Sequence, residues 1–204
     1  MANEVKRTKA YYEKFASLWA ATHSNSFYHE KEFVYLKKLL NQKASILDIG
    51  CAGGVHVPLF LGIGREFKYH GVDIAKKFIG IATRRYPQLT FTQGNIADSQ
   101  TLPKKKFDAF LALAVLMHLP FSEWDAAFKN IENLMRGGAY GYVVLPEHRP
   151  PLAINSIDTR HFTLLSEKEQ VSYMRNRGWK IVKKFKHAPG PNKAQWIGYI
   201  VQLP

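Results

Sequence analysis

Two stretches near the amino terminus carry apolar residues at near-helical spacing before any strand pattern begins. They predict helices from about Glu4 to Ala20 and from about Phe27 to Gln42. In the second, Phe27, Phe33, Val34, Leu36, Leu39 and Leu40 form an apolar stripe, and Ser26 is placed to cap its first turn. From Ser45 short apolar runs alternate with helical patterns, as in a parallel sheet with crossover helices. The strands expected are Ser45–Ile49, Lys68–Asp73, Leu89–Gln93, Phe107–Ala112 and Ala139–Leu145, with helices at about Val55–Leu61, Ala75–Tyr86 and Ser122–Met135. Ser122 and Asp125 read as a capping pair for the last of these, and Gly137 or Gly138 as its left-handed end. Pro146–Thr163 reads as a long loop, and the capping box Ser166–Glu169 opens a helix that Gly178 stops. Strands Trp179–Lys186 and Gln195–Gln202 then form an antiparallel hairpin, because Pro189 and Pro191 forbid a continuous strand. The pattern is α/β, a mostly parallel sheet ending in that hairpin. Residues 1–44 are expected to act as an N-terminal helical lid on a core at 45–204.

Composition narrows this picture. The 204 residues suit one domain, and 46% hydrophobic with 22% charged residues suits a sizeable core. The polar start of the chain has no apolar leader, so a cytoplasmic location is expected. The longest apolar stretch, Phe107–Phe121, contains Asp108 and His118 and falls short of the roughly 20 residues of a membrane span. A single cysteine, Cys51, leaves no internal disulfide and no cysteine-rich metal cluster; no metal site is expected. The net charge of +13 raises RNA or an anionic substrate as a partner. Its short clusters, Lys37-Lys38, Arg84-Arg85, Lys104–Lys106 and Lys183-Lys184, are spread along the chain and read more simply as solvated surface.

The chemistry concentrates at Ile46-Leu-Asp-Ile-Gly-Cys-Ala-Gly-Gly54, an apolar strand running into a glycine-rich turn and an expected helix. Such a turn brings backbone N–H groups and a helix N-terminus against a nucleotide-like ligand. The dinucleotide fingerprint Gly-x-Gly-x-x-Gly is not met, since Val55 stands at its third position.

The segment instead resembles the first motif of the class I S-adenosylmethionine-dependent methyltransferases, an acidic residue, x, Gly, x, Gly, x, Gly. Asp48, Gly50 and Gly54 match it, and Ala52 replaces the middle glycine. Tyr69-His-Gly-Val-Asp73-Ile74 resembles the family's second strand, whose terminal acid accepts the ribose hydroxyls; a helix cap is the alternative for Asp73. Gly94-Asn95-Ile96 stands where the family has Gly-Asp and an apolar residue; Asn95 could meet the adenine amino group through its amide oxygen, with a structural turn, or Asp98 in its place, as alternatives. Phe107–Pro120 resembles strand four and its loop, with Ala112, Leu113 and Ala114 beside the methionine part, and Leu134–Gly138 resembles the turn written Leu-x-Pro-Gly-Gly. The end, from Trp196 to Pro204, resembles small bacterial methyltransferases, and Thr159–Thr163 is distantly similar to tRNA wobble-uridine methyltransferases.

The resemblance implies a Rossmann-like three-layer fold with a seven-stranded sheet, binding S-adenosylmethionine and releasing S-adenosylhomocysteine. Cofactor contacts are expected from Asp48, Gly50, Cys51, Ala52, Gly53, Gly54, Asp73, Ile74, Asn95, Ile96, Ala112, Leu113 and Ala114. Methyl transfer is an in-line displacement in which positioning supplies much of the acceleration, so a universal base is not required. Candidate catalytic or acceptor-side groups are His118, Tyr12, Arg160 and His161, with Tyr11, Trp19, Glu147 and His148 beside them; each also has an ordinary structural reading, and His118 most simply orders its loop. The acceptor is expected to be the O, N or carboxylate of a small molecule. An RNA methyltransferase, a non-catalytic cofactor-binding protein and, more distantly, a nicotinamide dehydrogenase are the alternatives. Oligomeric state is not legible.

Overall fold

The structure is a computed structural model that describes residues 1–23, 30–60, 67–148, 157–187 and 194–204. Helix α1 (Asn3–Thr22) and helix α2 (Glu30–Leu39) precede strand β1 (Ser45–Ile49). Strand β2 (Lys68–Asp73), helix α3 (Lys76–Arg85), strand β3 (Thr90–Gln93), strand β4 (Phe107–Leu113), helix α4 (Trp124–Leu134) and strand β5 (Met135–His148) follow. Helix α5 (Glu167–Asn176) and strands β6 (Lys180–His187) and β7 (Gln195–Gln202) end the chain. The seven strands lie in the order β3-β2-β1-β4-β5-β7-β6. The first five are parallel, and β7 is antiparallel to both β5 and β6.

Both faces of this sheet are covered, which is why its strands read as nearly continuous apolar runs. Alternate residues serve opposite layers. Ile46, Ala109, Leu111, Tyr142 and Val144 pack under α2, whose Phe33 and Leu36 are buried, as is Leu40 just after it. Leu47, Phe110, Ala112, Val143 and Tyr199 pack under α4 and α5, with Trp124, Phe128 and Trp179 filling the layer. Gly141 stands opposite Phe110 in the β4–β5 ladder because a side chain there has no room. A Cβ at Gly141 would lie 2.2 Å from the Phe110 ring, which itself meets Trp179 edge-on. Gly141→Ala is expected to cost about 1–3 kcal/mol, by the overpacking it forces. A lower urea midpoint with unchanged slope would register that loss.

Several local expectations need correction. The helix expected at Val55–Leu61 is a tight turn with one 3-10 turn, Val57–Leu59, and residue 61 lies outside the described residues. Ser122 and Asp125 do not cap α4; its start is a 3-10 turn, Phe121–Glu123, and Asp125 instead accepts hydrogen bonds from Tyr173 and Arg177. Gly138 has φ +73°, yet it lies inside β5 and not at the helix end. Strand β5 also extends through Pro146 to His148, where a loop was expected, because β7 pairs with it that far. The capping box at Ser166–Glu169 is present with both of its hydrogen bonds, and Gly178 has φ +80°. The expected cap Ser26, Phe27, residues 149–156 of the Pro146–Thr163 loop and the hairpin turn lie outside the described residues.

The two helices expected to form a lid are used differently. α2 is a layer helix on the sheet, whereas α1 lies across the carboxyl ends of the strands, packing on α3 through Ala16 and Ala20.

Candidate functional site

A cavity of about 380 Å³ opens at the carboxyl ends of β1, β2, β3 and β4, the edge where parallel sheets of this kind bind ligands. Gly50, Ala52, Asp73, Ile74, Asn95, Ile96, Leu113 and Ala114 line it, so four separate sequence segments meet on one wall. α1 roofs it with Val5, Thr8, Tyr12 and Trp19, and Phe78 of α3 and Trp196 of β7 complete the wall.

The turn after β1 is built for close approach. Gly50 has φ +72°, and a Cβ there would lie 2.6 Å from Val115. Ala52, in the place of the middle glycine, is itself left-handed with φ +47°. Its N–H donates to Asp73 Oδ2 at 3.0 Å, while Gly50 and Cys51 donate to the Val72 carbonyl and Gly54 to that of Cys51. Those four donors are spent inside the protein, and the turn runs into the single 3-10 turn Val57–Leu59 in place of the expected helix N-terminus.

Asp73 is buried at the tip of β2, taking the Ala75 N–H on Oδ1 at 2.9 Å and the Ala52 N–H on Oδ2. Burial pushes its carboxyl up to about 6, against those two hydrogen bonds and helped by the charges of Asp48 and Glu13. Each oxygen keeps a second acceptor site, so the cap reading and the ligand reading hold together. Asn95 is shared in the same way: its amide oxygen accepts the Ala97 N–H at 3.0 Å, closing a turn, and keeps one further acceptor site. Asp98 caps the next 3-10 turn through Gln100 and does not line the cavity.

Five expected contacts lie off the wall. The Cys51 thiol is fully buried against Gly71, and burial pushes it well up, which leaves it inert. Gly53 faces Ile81 and Ala20, Gly54 faces Tyr86, and Ala112 points into the α4 layer. Asp48 sits behind the wall, accepting from Tyr69 and, at 2.9 Å, from Nδ1 of His56. His56 does line the cavity, and sequence reasoning missed it. The available signal was a histidine within the same turn as Asp48.

Beside the roof, His118 bridges Tyr12 and the strap at 158–163. Its Nδ1 meets the His161 carbonyl at 2.7 Å and so carries the proton, which leaves Nε2 to accept the Tyr12 O–H at 2.9 Å. Arg160 donates to Tyr12 at 3.0 Å and holds Asp158 through two nitrogens at 2.7 and 2.6 Å. Burial pushes the Tyr12 phenol up, and Arg160 opposes it. His161 differs from expectation: its backbone serves His118 and Thr8, its ring turns to Thr163, and it does not line the cavity. Tyr11 packs under Arg160, and Glu147 and His148 end β5 away from the wall.

Residues 46–138 match the sequence model of a methyltransferase domain. Over that segment, somewhat under half of the chain, the sequence is similar to a methyltransferase domain. Protein 235L of Invertebrate iridescent virus 6, itself named only as a putative methyltransferase, is 25% identical over 172 residues, covering 81% of this chain and 57% of that protein. The chain thus spans little more than half of that relative. Magnesium protoporphyrin IX methyltransferase of Synechocystis PCC 6803, with S-adenosylhomocysteine bound, superposes with TM-score 0.77 at 16% identity, covering 99% of this chain and 100% of that one. The 1,6-didemethyltoxoflavin-N1-methyltransferase of Burkholderia thailandensis gives 0.74 at 16% identity over 98% and 87%. At such identities the likeness establishes the fold. Among the described residues no helix is long and apolar enough to cross a membrane.

Proposed function

We propose that the chain is an S-adenosylmethionine-dependent methyltransferase acting on an O, N or carboxylate group of a small molecule. The observation that carries this is the single wall joining Gly50, Asp73, Asn95–Ile96 and Leu113–Ala114. Asp73 would hold the ribose at the end of β2, with Ile74 and Ile96 packing the nucleoside and Leu113–Ala114 beside the methionine part. When bound, the sulfonium supplies an activated methyl group, whose C–S pair returns to sulfur as the acceptor forms its new bond. The protein's share is to align the acceptor, exclude water under α1 and the 158–163 strap, and receive or pass on the acceptor's proton. Tyr12 and His118 are the polar groups of the roof closest to that task, already joined in a hydrogen-bonded chain to Arg160 and Asp158. Residues 1–44 divide accordingly, with α1 as the lid and α2 as part of the core.

The charge distribution favours a small acceptor over RNA. Lys43, Lys68, Lys104–Lys106 and Arg136 lie at the amino ends of the parallel strands, opposite the cavity. Arg160 is the one lysine or arginine on the described cavity wall, and Asp158 neutralises it. The parts of the reading separate cleanly by titration calorimetry with S-adenosylhomocysteine, followed by labelled methyl transfer to panels of phenols, amines, carboxylic acids and tRNA. One-to-one binding with transfer to a small acceptor is expected. Salt-sensitive tRNA binding with transfer to tRNA alone would overturn the small-molecule assignment. Preference for NAD over S-adenosylhomocysteine would overturn the cofactor.

A further inference from the structure

Resting on the cofactor reading above, we propose that His56, clamped by Asp48, binds the α-carboxylate of the cofactor's methionine part through Nε2. With the ribose on β2 and the adenine toward the β3 loop, the amino-acid arm must run the other way along the order β3-β2-β1-β4. That direction leads over the turn after β1, where His56 joins the wall beside Gly50, Leu113 and Ala114.

A carboxylate there needs donors, and several of those on the wall are committed. The N–H groups of Gly50, Cys51, Ala52 and Gly54 all have protein acceptors. Arg160 serves Asp158 and Tyr12, and His118 serves Tyr12 and the His161 carbonyl. His23 is exposed at the end of α1, its Nδ1 on Thr22 and the Trp19 carbonyl. His56 has Nδ1 on Asp48 Oδ2 at 2.9 Å, and its Nε2 has no partner among the described residues. Behind it, Asp48 is fully buried, takes Tyr69 on the same oxygen, and has Oδ1 without a partner. The Nδ1 contact with Asp48 fixes the ring and leaves Nε2 for a ligand.

The test compares two ligands that differ only in the carboxylate: S-adenosylhomocysteine and its decarboxylated analogue, S-adenosyl-3-thiopropylamine. His56→Asn keeps a donor toward Asp48 in place of Nδ1 and removes Nε2. Calorimetry is expected to show S-adenosylhomocysteine weakened about 10- to 100-fold, the range for losing a charge-assisted hydrogen bond, and the analogue changed by less than about 2-fold. Retained analogue binding also certifies that the variant folds. Equal weakening of both ligands, or no weakening of either, overturns the proposal while leaving the cofactor reading intact. A native protein that binds neither ligand overturns that reading and this one with it.

Discussion

Asp73→Asn is expected to weaken S-adenosylhomocysteine binding by about 100-fold or more, the largest effect of any single change at the cavity. Two charge-assisted hydrogen bonds to the ribose are lost, each worth about 1.5–3 kcal/mol. The amide also turns an NH₂ group toward one of two backbone donors, Ala52 or Ala75, so its arrangement cannot be kept. A pH dependence follows from the same carboxyl. Burial holds it at about 6, and Asp48 on β1 and Glu13 on α1 add to the rise. If only the carboxylate binds, affinity at pH 5 should be roughly tenfold below that at pH 7.5, and Asp73→Asn should remove this step. For folding the sign is opposite to that of an ordinary paired acid. The folded value is raised, so the stability contribution is full below about pH 4 and is lost as pH rises through about 6. At neutral pH the unliganded protein therefore carries a buried carboxylate that the proposed ribose contact would relieve. A flat affinity between pH 5 and 7.5 would sink this account.

Arg160→Met is expected to give the largest loss of stability, about 2–4 kcal/mol, corresponding to a fall in Tm of roughly 10 °C. The figure is set below that for a fully buried pair because the two side chains keep 18% and 11% of their surface exposed. The guanidinium joins Asp158, Tyr12 and the rings of Tyr11, Tyr12 and Phe162, at 4.9–5.5 Å, and so laces the strap to the roof helix. Faster amide exchange confined to α1 and residues 157–163 would accompany the loss. Asp158→Asn combined with Arg160→Met should cost less than the two separately, because both break one pair. A Tm within about a degree of the native protein would show the lacing to be idle.

The site was partly legible before folding was considered. Asp73, Gly50, Ala52 and Leu113–Ala114, all on the cavity wall, lie at or just after strand ends, which are written locally by apolar runs that stop at a polar or glycine residue. Asn95 lies on the cavity wall, and its amide oxygen also closes a turn, a hydrogen bond that leaves no mark in composition. Cys51 and Asp48 were misplaced for a related reason. In an extended strand and turn the direction of a side chain alternates, and a match to a motif carries position without direction. His161 failed because its ring and its carbonyl face different partners.

What the sequence by itself determined is the alternation of strand and helix, all seven strands with some shifted ends, the glycine-rich turn and the chemistry at the tip of β2. These depend on periodicity and backbone conformation, which act over a few residues. Tertiary structure alone decided that α1 roofs the cavity while α2 serves the core, that Arg160 meets Tyr12 across the chain, and that Asp48 turns away from the wall to hold His56 against it. Those outcomes rest on contacts between distant segments, where burial of the sheet's two faces selects one arrangement among many that local preferences permit equally. The turn from Ile46 to Gly54 shows both sides: its conformation is local, but the partners of the Gly50, Cys51 and Ala52 N–H groups come from β2.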